Sequence, residues 1–183
     1  NSLAVLLAVR ALGGDMEQAA DALRRFTPPK GRGERLRLAL PMGSFTLIDE
    51  SYNANPTSMR AALSLLAETQ VQGRRVVVLG DMLELGPRAS QMHAELADDI
   101  EELGIDLVFA AGPLMKSLFD RLPSSRRGVW AEKAADIEKE LAMAINADDV
   151  VMIKGSNGSR MTGLVAQLKE RFAANKDSAE GTE

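Results

Sequence analysis

Three clusters of polar residues have the types and spacing that could do chemistry, and each directly follows an apolar run. The first is Asp49-Glu50-Ser51-Tyr52-Asn53-Ala54-Asn55-Pro56. Its carboxylates can hold ribose hydroxyls or an ammonium group, and its amides can read a peptide backbone. The same residues also suit a solvated loop ahead of an Asn-capped helix, because Asn and Asp favour such loops on local grounds. The second cluster is Gly80-Asp81-Met82-Leu83-Glu84-Leu85-Gly86. Gly80 allows a sharp turn that lands Asp81 at the edge of a sheet. Met82, Leu83 and Leu85 either pack on the core or face a partner. The third is Lys154-Gly155-Ser156-Asn157-Gly158-Ser159-Arg160-Met161. Backbone N–H groups at a helix start form an anion site there, which Lys154 and Arg160 strengthen, suited to a carboxylate or a single phosphate. The alternative is an ordinary glycine turn with Ser159 as the helix cap. The segment fits neither the G-x-x-x-x-G-K-[ST] phosphate loop nor the dinucleotide G-x-G-x-x-G.

His93 is the only histidine, at helical spacing from Leu96, Ala97 and Ile100. It is either a packing and hydrogen-bonding residue or a general base. One histidine with scattered acids makes no zinc site, and no Ser-His-Asp arrangement is suggested. The charged residues around Glu132, Lys133, Glu138, Lys139 and Glu140 fit a solvated helix face.

The elements that must position these clusters follow from the hydrophobic pattern. Glu34 to Leu40 alternates like a half-exposed strand, Pro41 to Ser44 turns, and Phe45 to Ile48 returns. Val76–Leu79, Leu107–Ala110, a short run near Val129-Trp130 and Val150–Ile153 are further strands. Between them lie helical stripes: Met59, Ala62, Leu63 and Leu66 behind an Asn55 cap, then Met92, Leu96, Ile100 and Leu103. Others span Leu114 to Leu122 and Glu132 to Ile145, and a last helix opens at Ser159. Uninterrupted apolar strands alternating with amphipathic helices predict an α/β fold, a mostly parallel Rossmann-like sheet with helices on both faces. Ligands gather beyond the carboxyl ends of such strands, which is where all three clusters fall.

Before this unit, Ser2 to Leu12 reads as a helix apolar on nearly every side, and Asp15 caps a second helix with Met16, Ala19, Ala20, Leu23 and Phe26. An all-round apolar helix needs cover, so the chain is expected to be the C-terminal part of something larger. Thr27-Pro28-Pro29-Lys30-Gly31-Arg32-Gly33 reads as a boundary, and Asn175 to Glu183 as a polar, disordered tail.

Composition sets the class. The 183 residues are 45% hydrophobic and 26% charged, ordinary values for a globular protein able to bury a sizeable core. A net charge of −4 without a basic block gives no nucleic-acid footprint. The absence of cysteine excludes a disulfide scaffold and thiol chemistry and fits a reducing, cytoplasmic compartment. No run reaches the ~18 apolar residues of a membrane span.

In this order, the segments Asp49–Pro56, Gly80–Gly86 and Lys154–Arg160 resemble the C-terminal domain of the Mur ligases, in particular their dipeptide-adding branch. Lys30-Gly31-Arg32 is similar to the family's hinge. The resemblance implies that residues 1–33 are the end of a central ATP-binding domain plus hinge, 34–174 a Rossmann-like C-terminal domain, and 175–183 the tail. It implies a monomeric, ATP- and Mg2+-dependent amide ligase of cell-wall synthesis. The carboxylate of UDP-N-acetylmuramoyl-tripeptide is activated as an acyl phosphate and attacked by the amine of D-Ala-D-Ala. By the same resemblance Asn1 meets the adenine, Arg32 the phosphates or ribose, and Asp49 or Glu50 the ribose. Asn53, Asn55, Asp81, Lys154, Ser156 and Ser159 surround the dipeptide, its carboxylate meeting the last loop. The family's phosphate loop and magnesium ligands belong to its central domain, so these 183 residues alone are expected to be inactive. A sister ligase adding another amino acid and a non-catalytic Rossmann-like binding module are the alternatives. The Asp-Asn-Pro-Arg string of the diamino-acid enzyme is absent here.

Overall fold

A computed structural model describes residues 2–26 and 29–179. Two helices come first, α1 (Ser2–Ala11) and α2 (Met16–Arg24), and neither buries a residue. Asp15 caps α2 by accepting from the N–H groups of Glu17 and Gln18. Leu3 is 77% and Leu12 87% exposed, so the apolar opening helix is covered only in part, by α2, within the described chain.

The rest is a six-stranded sheet: β1 (Glu34–Ala39), β2 (Ser44–Glu50), β3 (Arg75–Gly80), β4 (Leu107–Ala111), β5 (Arg127–Ala131) and β6 (Val150–Lys154). Their order is β1-β2-β6-β3-β4-β5, parallel except for the β1–β2 hairpin at the edge. Every residue of β6 is buried, and all of β3 after Arg75, as the unbroken apolar runs require of strands covered twice. Successive side chains leave a strand on opposite faces. Val77, Leu79, Val108 and Met152 therefore pack with α3 (Pro56–Glu68), α4 (Ala89–Glu102) and α5 (Met115–Arg121). Val76, Val78, Phe109 and Val151 pack with α6 (Glu138–Ala144) and α7 (Met161–Ala179).

The expected α/β architecture is therefore the one found, with local differences. The stretch Glu132–Ile145 is not one helix: a 3-10 turn, Ala134–Ile137, precedes α6. Ser159 does not cap the last helix. It closes a 3-10 turn, Asn157–Ser159, and α7 starts only after Arg160, which is left-handed at φ 57°. The backbone of α7 runs to Ala179, so the tail boundary expected at 175 falls within that helix, while 180–183 lie outside the described residues. So do Thr27 and Pro28 of the expected hinge.

Candidate functional site

β3 feeds α4 on one face of the sheet, whereas its neighbour β6 feeds α7 on the other. The two loops part at that point and leave a crevice beyond the strand ends, the usual ligand position in an open α/β sheet. Its floor is glycine because the backbones nearly touch. A Cβ on Gly155 would lie 3.0 Å from the Gly80 Cα, and one on Gly80 2.6 Å from the Ser159 Oγ. Ser159 is drawn down there because its hydroxyl donates to the Ser156 carbonyl at 2.5 Å.

At the β2 end, alternation separates two adjacent carboxylates. Asp49 is buried on the α7 side, where its Oδ1 accepts from the Ser51 N–H (3.1 Å) and hydroxyl (2.5 Å), with the Lys169 Nζ 4.0 Å from Oδ2. Glu50 points the other way, into a cavity of about 590 Å³ shared with Arg32, Tyr52, Asn53, Asn55 and Lys154. The Arg32 guanidinium stacks over the Tyr52 ring at 3.9 Å. Lys154 is only 3% exposed; its Nζ donates to the Asn53 carbonyl at 3.0 Å and lies 3.6 Å from Glu50. Desolvation lowers its pKa below the usual lysine value, and the Glu50 charge opposes that fall. Asn55 caps α3, accepting from the Ser58 N–H at 2.8 Å.

The β3–α4 loop is tethered residue by residue. The Asp81 carboxylate accepts from the first amides of α5, Leu114 (3.3 Å) and Met115 (2.8 Å). The Met82 N–H donates to the His93 Nε2 at 2.9 Å, and the Leu83 N–H to the Ser156 Oγ at 2.9 Å. That serine hydroxyl in turn donates to the Ala54 carbonyl at 3.1 Å, tying the loops after β2, β3 and β6 together. His93 is fully buried, with Nδ1 2.6 Å from the Ala89 carbonyl. Both ring nitrogens are engaged by backbone groups, the Ala89 carbonyl and the Met82 N–H, which makes it a structural histidine rather than a base.

Three cavities thus adjoin along one edge of the sheet. Glu50, Arg32 and Lys154 face the first; Tyr52, Asn53, Asn55, Leu83 and Ser156 line a second of about 540 Å³. A third, of about 510 Å³, lies among Asp81, Ala111, Pro113, Ala134, Ser159 and Leu164. Asn53 and Asn55 line two of them, and Asp81 and Ser159 sit apart from Lys154. Lys154 was expected beside the N–H groups of the 155–159 loop. It is turned instead toward β2, because the Asn53 carbonyl and Glu50 offer the nearest partners for a buried ammonium. Several of that loop's amides are also occupied internally: Ser156 donates to Asp81, Ser159 to Ser156 and Arg160 to Asn157. Asn1 lies outside the described residues. The sequence reading left Leu83 between core packing and a partner contact and gave Gly158 no role of its own; both line the second and third cavities. An apolar leucine in a loop after Gly-Asp was the available signal. Among the described residues, no group of three or more acids and histidines could hold a metal, and no helix is long and apolar enough to cross a membrane.

Fold and crevice together define an open, doubly wound α/β domain with its crevice at the β3/β6 switch point. The chain belongs to the Mur ligase family: the family described as "Mur ligase, glutamate ligase domain" matches residues 31–157. It is 32% identical to the UDP-N-acetylmuramoyl-tripeptide–D-alanyl-D-alanine ligase of Bacillus subtilis, over 93% of this chain and 37% of that protein. A crystal structure of MurF from Acinetobacter baumannii superposes with a TM-score of 0.75 at 28% identity, covering 92% of this chain and 36% of that one. The MurF ligase of Thermotoga maritima in complex with ADP shares the fold, with a TM-score of 0.73 at 23% identity over 93% of this chain and 37% of that one. The chain spans little more than a third of the length of the relatives it matches.

Proposed function

We propose that this chain is the C-terminal part of a cytoplasmic, ATP-dependent amide ligase that joins D-Ala-D-Ala to UDP-N-acetylmuramoyl-tripeptide in peptidoglycan precursor synthesis. The observation that carries this reading is the family match over residues 31–157 together with three polar loops converging on one sheet edge. ATP supplies the phosphoryl group that activates the tripeptide carboxylate. Arg32 and Glu50 fit the nucleotide, a guanidinium for phosphate and a carboxylate for ribose hydroxyls, in one cavity. Glu50 is preferred to Asp49 because Asp49 is engaged on the opposite face. Asn53 and Asn55 offer side-chain amides and Gly158 its backbone to a dipeptide, while Ser156, its hydroxyl engaged by Leu83 and Ala54, holds the loops around it. Lys154 holds the Asn53 carbonyl and Glu50, which makes it a positioning residue between the two ligands. In this reading magnesium is held mainly by the family's central domain, as the resemblance implies.

The test replaces the matching segment of the Bacillus subtilis ligase with these 183 residues. ADP release that requires both UDP-N-acetylmuramoyl-tripeptide and D-Ala-D-Ala is expected, with none from the 183 residues alone. A folded chimera that turns over with a single amino acid instead of the dipeptide would assign the chain to a sister ligase.

A further inference from the structure

Leu83 is 42% exposed at the crevice, on a backbone tethered residue by residue. The three residues Asp81, Met82 and Leu83 are each bonded to a different element: the α5 amides, the buried His93 and Ser156. Its side chain lies against Gly158, where an added Cβ would come within 2.6 Å of the Leu83 Cδ1. Leu83 and Gly158 each line both the polar cavity of Asn53, Asn55 and Ser156 and the neighbouring cavity walled by Ala111, Pro113, Ala134 and Leu164. The wall between these two spaces is therefore one leucine resting on one glycine. Directly behind it lies a cavity of about 510 Å³ that has an apolar part, Ala111, Pro113, Ala134 and Leu164, alongside the polar Asp81, Lys133 and Arg160.

We propose that Leu83 is a specificity-determining residue, the wall that restricts the amino component to a small C-terminal side chain. The proposal rests on the dipeptide occupying the polar cavity, as read above. The tethers fix the backbone from which the wall projects: the Leu83 N–H is held by Ser156 and the preceding Met82 N–H by the buried His93. Removing the wall joins the polar space to its neighbour, where a longer apolar side chain can rest on Ala111, Pro113, Ala134 and Leu164.

The test uses the full-length ligase with D-Ala-D-Ala and D-Ala-D-Leu as alternative substrates. Leu83→Ala is expected to raise the D-Ala-D-Leu to D-Ala-D-Ala ratio of kcat/KM by about tenfold or more, the scale of discrimination that a few methylenes command. Leu83→Met, which conserves volume, is expected to keep the parent ratio within about twofold. Gly158→Ala pushes the wall from its other side, so it should depress kcat/KM for D-Ala-D-Ala and still exclude D-Ala-D-Leu. Should Leu83→Ala melt far below the parent, Leu83→Val and Gly158→Ala carry the comparison. An unchanged ratio in folded variants of a parent that uses D-Ala-D-Ala overturns the role of Leu83 alone. A folded parent with no turnover on D-Ala-D-Ala overturns the proposed function, and the wall with it.

Discussion

At the residue scale, the polar side chains of the crevice do two jobs, and burial decides which. Lys154 and Ser156 are almost wholly enclosed and bonded to protein, whereas Asn53, Asn55 and Tyr52 reach the open cavities. An enclosed ammonium costs solvation that its carbonyl partner and a carboxylate at 3.6 Å only partly restore. Because the folded state lowers the Lys154 pKa, the unfolded chain binds more protons in the alkaline range below the usual value of 10.5. Stability from this residue must then rise as pH increases through that window. Urea titrations of the parent and Lys154→Met at successive alkaline pH values should show the parent gaining on the variant; a constant difference would mean that the ammonium is not desolvated. His93 offers a second check. His93→Ala leaves the buried Met82 N–H without an acceptor, a loss of about 1–3 kcal/mol. His93→Gln can return an acceptor and should recover part of it, read as a denaturation midpoint.

At the element scale, the short helix α5 depends on a residue from another loop. It is seven residues long, and its cap position, Leu114, makes no side-chain cap bond. The Asp81 carboxylate serves instead, with the helix dipole adding to two charge-assisted bonds. Gly112 stands so close to that carboxylate that a methyl group there would collide with it. Asp81→Ala should therefore destabilise the domain by about 2 kcal/mol. Amide hydrogen exchange should show faster opening at Leu114 and Met115 specifically. Uniform loss of protection across the sheet, with α5 no more affected than the rest, would argue against the cap.

At the scale of the molecule, the sheet and its two layers form a complete core, while α1 and α2 stand apart from it energetically. Neither helix buries a residue, and Leu3, Leu7, Leu12 and Phe26 are exposed. Hydrophobic stabilisation follows the apolar area removed from water, so these helices contribute little to the folding of the sheet. A chain starting at residue 29 is expected to unfold within about 0.5 kcal/mol of the parent, as for surface changes that touch no core. A large drop in its denaturation midpoint would show that the two helices brace the sheet.

The strands, the covering helices and the three polar loops were legible in the residues alone because periodicity and capping are local. Asn55 illustrates this: a capping residue before Pro56 and a buried stripe at helical spacing can have only one simple outcome. The Asp49–Glu50 pair was legible as two carboxylates but not as two roles, since their division depends on which face of β2 meets α7 and which meets the cavity. Lys154 was placed correctly at the end of its strand and wrongly in its direction. A long cation chooses among partners brought from residues a hundred positions away, here the Asn53 carbonyl. Strand order likewise decided that β6 enters between β2 and β3, which creates the crevice and sets Leu83 against Gly158. Sequence determined the elements and their chemistry, because those follow from neighbours along the chain. Tertiary structure decided which groups face one another, because that depends on topology and on competition for buried partners.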